Sequence, residues 1–219
     1  MLAGIVPPEV STAEVFGDGF DHGDLLAEEE PAIAGAHPRR RREYTAVRVC
    51  ARQALARAGL PAAAIVPGPS REPNWPPGVV GSMTHCEGYR ACAVARDSVI
   101  AAIGIDAEPH EELPDGVLAI VSSQSERAGL ARLGAAEPGT CWERILFSAK
   151  ESVFKAWFPA TGEWLGFGDA EVTIDPAGEF TARLAVPGPA VGGERLTAYQ
   201  GRWLVARGLI LTAVTVAAR

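Results

Sequence analysis

The spacing of apolar and polar residues changes along this chain in an order that occurs twice. Over residues 40–58, Tyr44, Val47, Ala51, Ala54, Leu55 and Ala58 fall on one helical face, and Arg41, Arg48 and Arg52 project from the other. His37-Pro38 precedes this segment and Gly59-Leu60-Pro61 closes it, with glycine as the cap and proline as the stop. A Pro/Gly-rich loop at 66–78 leads to apolar runs at Val79-Val80, 89–95 and 99–105, the last two joined as a hairpin by Arg96-Asp97-Ser98. A second long helix is predicted from Thr140, with Glu143 completing a capping box, to the residue before Pro159. Its apolar face is Ile145, Ala149, Val153, Ala156 and Trp157, and strands follow at 170–174, 180–185, 196–206 and 209–217.

Smaller features fill the gaps: a strand near 13–16 followed by loops, a short helix at 116–121, and a helix from Ser123 with Glu126 as its capping-box partner. Helix followed by antiparallel strands in each half predicts an α+β fold of two similar lobes, a pseudo-dimer. Each lobe packs a long helix on a small sheet. The expected division is 1–103 and 104–219.

Composition narrows the class. The 219 residues, 47% hydrophobic and 21% charged, are those of an ordinary globular chain. A net charge of −7 argues against a general nucleic-acid binder, so the basic run Arg39, Arg40, Arg41 and Arg42 is a local feature. The four cysteines have no CxxC spacing, Met1-Leu2-Ala3-Gly4 lacks a basic leader, and the apolar tail at 209–218 is about half the length of a membrane-spanning helix. These features predict a cytoplasmic protein with free thiols and a buried C-terminal strand. Among 20 basic residues only Lys150 and Lys155 are lysines, and they flank Glu151. A compact ammonium enters a tight phosphate or metal site more readily than a planar guanidinium does.

The chemistry-bearing residues lie near the middle of the chain. Asp106 and Glu108 end an apolar run, and strand residues two apart share a face. Two close carboxylates raise each other's pKa unless a cation lies between them, and hard oxygen donors suit Mg²⁺. Taken alone, Asp-x-Glu also describes a solvated strand end. Glu151 and Lys155 are neighbours at i,i+4, which fits a third metal carboxylate beside a phosphate-binding ammonium, or a surface ion pair. His85, after Gly81-Ser82-Met83-Thr84, stands where it could donate to a phosphate or cap a loop.

Together, the Gly104-Ile105-Asp106-Ala107-Glu108 run, the WERILFSAKESVFKAW segment from Trp142 to Trp157 and the Ser82-Met83-Thr84-His85 segment resemble a known family. It is the 4′-phosphopantetheinyl transferases, in the monomeric form that activates surfactin and enterobactin synthetases, and in particular actinobacterial members serving polyketide, peptide or siderophore synthases. The resemblance implies an active site at the lobe interface. It implies Mg²⁺ (Mn²⁺ as an alternative) on Asp106, Glu108 and Glu151, with coenzyme A as co-substrate. Glu151 lies where the family has its general base. Lys150 and Lys155 would neutralise the pyrophosphate, and His85 with the Thr84 backbone would hold it. Arg40 and Arg48 match positions that grip the 3′-phosphate. A loop lysine common in the family is absent from Pro67-Gly68-Pro69-Ser70, with Arg71 the nearest substitute. The N-terminal lobe would thus contact the cofactor, and the C-terminal lobe would carry the metal site, the catalytic helix and the contacts with acyl, peptidyl or polyketide carrier proteins. Residues 109–135, with Leu113, Val117, Leu118, Ile120 and Val121, are the expected docking surface. No nucleic acid or membrane partner is expected. A metal-dependent coenzyme A pyrophosphohydrolase and a non-catalytic coenzyme A- or carrier-binding module remain as alternatives.

Overall fold

The computed structural model describes residues 1–17 and 24–218; residues 18–23, within the loop expected after the first strand, lie outside the described residues. The first part of the chain forms β1 (Ser11–Phe16), α1 (Pro38–Arg57), β2 (Val79–Cys86), β3 (Tyr89–Arg96) and β4 (Ile100–Pro109). Next come the helices α2 (Val117–Val121), α3 (Gln124–Ala136) and α4 (Trp142–Thr161). The remainder is β5 (Ala170–Asp175), β6 (Glu179–Leu184), the short β7 (Ala190–Val191) and β8 (Glu194–Arg195), β9 (Ala198–Ala206) and β10 (Leu209–Ala217). The architecture is α+β with antiparallel sheets, as the alternating periods predict. One sheet has the order β1-β3-β2 and carries α1; the other has the order β4-β10-β9-β6-β5 and carries α4.

Period-two alternation sorts the side chains between three cores. From β3, Cys92 and Val94 meet Ala51, Ala54 and Leu55 of α1, while Ala91, Ala93 and Ala95 point the other way. That opposite face joins Ile103, Ile105 and Ala107 of β4 and Leu209, Leu211 and Ala213 of β10 in a core common to both sheets. The alternate residues of β10, Ile210 and Val214, pack under α4 with Ile145, Ala149 and Val153. Thr212 lies between them and opposite Asp106 in the β4–β10 register.

The expected hairpin between residues 89–95 and 99–105 does not form. β3 pairs with β1 and β2, whereas β4 pairs with β10, so the turn at 96–99 carries the chain from one sheet to the other. The hairpin is β2–β3, closed at Glu87-Gly88 with Gly88 at φ 70°. β2 extends well beyond Val79-Val80, pairing with β3 as far as Cys86, and its seam-facing residues are polar. Ser82 Oγ accepts the Ile105 N–H (3.1 Å) and Thr84 Oγ1 accepts the Ala107 N–H (3.1 Å). Side-chain hydroxyls replace a backbone ladder where the two sheets meet, and they hide the strand from an apolar pattern. Residue 104, the expected lobe boundary, lies inside β4.

Helix α4 departs from expectation at both ends. Thr140 does not cap it: its carbonyl accepts the Trp142 N–H, Cys141 is the N-cap, and His110 Nε2 accepts the Cys141 N–H at 3.1 Å. Pro159 does not stop it, because it is exposed in the final turn, where a missing donor costs little; Gly162, at φ 69°, ends the helix. The Ser123–Glu126 capping box on α3 is present. Gly104 passes so close under α4 that an added Cβ would lie 1.8 Å from the Ser152 carbonyl oxygen. The apolar tail is the buried strand β10, and among the described residues no helix is long and apolar enough to cross a membrane.

Candidate active site

Asp106 is 5% exposed and sits where β4 passes beneath α4. Its Oδ1 accepts from Lys155 Nζ (2.7 Å) and Thr84 Oγ1 (3.3 Å), and its Oδ2 accepts from Ser148 Oγ (2.8 Å). Ser148 also contacts Thr212 Oγ1 (3.0 Å), and Ser152 contacts the same threonine, so a buried chain of hydroxyls ties this carboxylate to α4 and β10. Lys155 donates a second hydrogen bond to the Ile105 carbonyl at 3.1 Å.

Glu108, two residues along the same face, accepts from Arg144 Nη1 at 2.9 Å. Burial first, and then the Asp106 charge, push the Glu108 carboxyl above its ordinary range, against the pull of Arg144 and Lys155. Glu151 is raised in the same way, by burial and then by Asp106, with Lys155 opposing. Glu108 and Glu151 therefore each lie within the field of Asp106. Among the described residues no three His, Cys, Asp or Glu side chains form a ready-made metal cage; Asp106 and Glu108 are held instead by Lys155, Ser148 and Arg144.

Asp106 and Lys155 line a cleft of about 710 Å³ whose lining also carries several cations. Arg40, Arg48, Arg71, Thr84 and His85 line it. Arg40 Nη1 lies 3.3 Å from His85 Nε2. Burial depresses the imidazole pKa; Glu43 opposes this, while Arg40, Lys155 and Arg90 reinforce it, so the neutral ring accepts from Arg40. Arg48 is buried: its Nε donates to the Ile65 carbonyl (3.2 Å) and its guanidinium lies 3.3 Å over the Tyr44 ring. Glu29 supports this from behind, accepting the Ile65 N–H and both of Arg52's Nη1 contacts. Arg71 adopts φ 71° in a turn where Glu72 accepts the Ser70 N–H. Phe154, Phe158 and Trp164 add aromatic rings to its lining.

Lys150 and the expected docking segment are placed otherwise than their motifs imply. Lys150 does not face the cleft. Its ammonium is buried and donates to Glu126, the Phe167 carbonyl (2.6 Å) and the Ala170 carbonyl (3.1 Å), which occupies all its N–H groups. Val121, in the expected docking segment, is 2% exposed, and Leu118 packs on the α4 core; Ile120, 74% exposed, is the residue that faces outward.

The motif reading missed Arg144, Ser148, Ser152 and Thr212. A signal was available: Arg144, Ser148, Glu151 and Lys155 recur at helical spacing, a polar stripe on an otherwise apolar helix. Thr212 carried no such signal, since a lone threonine in a β-branched strand is unremarkable in pattern.

Family models match both halves of the chain. Residues 28–95 match the 4′-phosphopantetheinyl transferase N-terminal domain, and residues 102–207 match the 4′-phosphopantetheinyl transferase superfamily. The 4′-phosphopantetheinyl transferase Svp of Streptomyces mobaraensis is 55% identical over 100% of this chain and 90% of its own length. The chain belongs to the 4′-phosphopantetheinyl transferase superfamily. PptT of Mycobacterium tuberculosis, also a 4′-phosphopantetheinyl transferase, is 47% identical over 99% of this chain and 100% of its own. Enterobactin synthase component D of Salmonella typhi is more distant, at 27% over 91% of this chain and 82% of its own. The family uses coenzyme A to transfer phosphopantetheine to carrier proteins, and this chain is a transferase of that kind. Phosphoryl-group transfer depends mainly on positioning and charge neutralisation. A cleft lined by several cations and an Asp–Lys pair supplies both.

Proposed function

We propose that the chain moves 4′-phosphopantetheine from coenzyme A onto the serine hydroxyl of apo acyl, peptidyl or polyketide carrier domains, as a holo-[acyl-carrier-protein] synthase. The observation that carries this reading is that the Asp106–Lys155 pair lines the same cleft as Arg40, Arg48 and His85. Arg40 and Arg48 bind the 3′-phosphate, with Arg71 in the role of the family's loop lysine. Lys155, His85 and the Thr84 backbone hold the pyrophosphate. Glu151 takes the serine proton, and burial and the Asp106 charge, which raise its pKa, make it a stronger base than a free carboxylate. The serine oxygen bonds to the β-phosphorus, the bond from that phosphorus to the bridging oxygen breaks, and 3′,5′-adenosine diphosphate leaves.

The donor chemistry fits Mg²⁺, or Mn²⁺ in its place. Glu108 and Glu151 are both raised partly by Asp106, so this group of carboxylates still lacks positive charge with Lys155 and Arg144 beside it. Asp106, Glu108 and Glu151 would hold the ion, which when bound neutralises pyrophosphate charge. Residues 1–103 then serve the cofactor, and residues 104–219 serve the metal, the chemistry and the carrier. The exposed Ile120 on α2 gives the carrier an apolar foothold. Two sheets sharing one core make a monomer sufficient, and four free cysteines suit the cytoplasm.

Intact mass of an apo carrier incubated with the protein, coenzyme A and Mg²⁺ tests the reading. A gain of one phosphopantetheine supports it. Coenzyme A cleavage without carrier would indicate a hydrolase, and an unmodified carrier with intact coenzyme A a binding module.

A further inference from the structure

Lys150 and Glu126 are thoroughly bonded charges outside the cleft. Their side chains are 4% and 1% exposed and 2.8 Å apart. Glu126 also accepts the Ser123 N–H (2.7 Å) and the Val172 N–H (2.8 Å), and Lys150 donates to the carbonyls of Phe167 and Ala170. One ion pair thus joins the start of α3, the middle of α4, the turn between α4 and β5, and β5 itself. That turn carries Trp164, whose ring stands 4.8 Å from Phe154 on the cleft wall. A second bond pins the same turn: Asp169 accepts the Gly166 N–H at 2.7 Å.

We propose that Lys150 is a positioning residue: paired with Glu126, it anchors the 163–170 turn so that Trp164 closes the cleft wall, and it does not touch the phosphates. Trp164 needs such an anchor because it is 78% exposed and has little core contact of its own. An ammonium with all its donors engaged and its charge matched by a buried carboxylate has nothing left for a phosphate oxygen. Lys155, four residues on, is 27% exposed and lies on the cleft wall. The sequence motif makes the two lysines look equivalent, but the helix turns them to different surroundings.

This inference rests on the reading of the cleft as the coenzyme site, which Lys155→Met tests separately. If coenzyme A affinity is unchanged by that substitution, the cleft reading fails whatever Lys150 does. For Lys150 itself, coenzyme A binding is measured by calorimetry at several salt concentrations, and transfer kinetics are measured for Lys150→Met, Glu126→Gln and the double variant. Each single change should lower kcat/KM by a similar factor, and the double change by no more than either single one. Salt dependence of coenzyme A binding should persist in Lys150→Met and weaken in Lys155→Met. In a Trp164→Ala background, removing Lys150 should cost no further activity, whereas a purely global stability role would remain additive. Should a single variant fail to fold, the double variant carries the test, because it leaves no buried charge unpaired. The proposal is overturned if charge loss at 150 flattens the salt dependence while Glu126→Gln does not, or if the Lys150 and Trp164 losses add.

Discussion

The two sides of the cleft hold their charges by different means. On the α1 side, Arg48 is fixed by one backbone carbonyl and one aromatic face, and Arg40 by a neutral imidazole and a distant Glu43 contact of 3.9 Å. On the α4 side, Asp106 is held by a lysine and two hydroxyls, and Glu108 by an arginine. The cations keep donors available for a ligand, and the carboxylates are locked into one arrangement. This difference suits a reaction in which one wall grips a flexible, multiply charged substrate and the other must hold its geometry through the transfer.

The largest test of the contrast is Glu151→Gln, which keeps the shape and removes the proposed base. Transfer should fall roughly 10²–10⁴-fold with coenzyme A binding retained; near-normal turnover would remove Glu151 from the mechanism. Arg48→Ala comes next. Loss of charge-assisted bonds should weaken coenzyme A by about 1.5–3 kcal/mol, and dephospho-coenzyme A by much less. Equal losses for both cofactors would end the 3′-phosphate assignment.

The seam should respond through stability. Thr84→Val is isosteric but leaves the buried Ala107 N–H without its acceptor, at about 1–3 kcal/mol by thermal or denaturant unfolding. An unchanged midpoint would mean that the hydroxyls are incidental to joining the sheets. Ile120→Asp should raise the KM for carrier about fivefold, equivalent to ~1 kcal/mol, without affecting coenzyme A affinity. Val121→Asp should unfold the chain instead, since Val121 is 2% exposed.

The smallest effect concerns His85. NMR titration should find it below the ordinary imidazole value of 6.5, because burial and nearby cations disfavour its charged form. Arg40→Gln should move it upward. The sign for stability follows: the unfolded chain protonates first, so this histidine's contribution is present above about 6.5 and is lost as pH falls below it. A midpoint that ignores Arg40 would separate the two groups that the geometry joins.

Much of this was legible in the sequence where one periodicity governed a whole element. α1, α4, the Ser123 capping box and the four long C-terminal strands were all readable, because amphipathic spacing and turn residues agreed. β2 was not, since its Ser82 and Thr84 look like loop residues until the Ile105 and Ala107 N–H groups are placed against them. The end of α4 was misread because a proline's cost depends on whether its turn is buried. Asp106, Lys155 and His85 could be picked out by motif, but Lys150 could not be separated from Lys155 by chemistry alone. Only the packing of α3 and β5 against α4 tells which lysine is enclosed.

Gly104 has a bearing on how this enzyme can change over evolutionary time. Where α4 crosses β4, backbone meets backbone, and the separation between Asp106 and the helix that bears Glu151 and Lys155 is set by a single hydrogen atom. A contact of that kind has no rotamers to adjust, so no neighbouring substitution can absorb a larger residue there. New substrate preference therefore has to arise in the aromatic wall and the arginine side, whose side chains can be exchanged one at a time. The floor of the cleft passes unchanged from one such variant to the next.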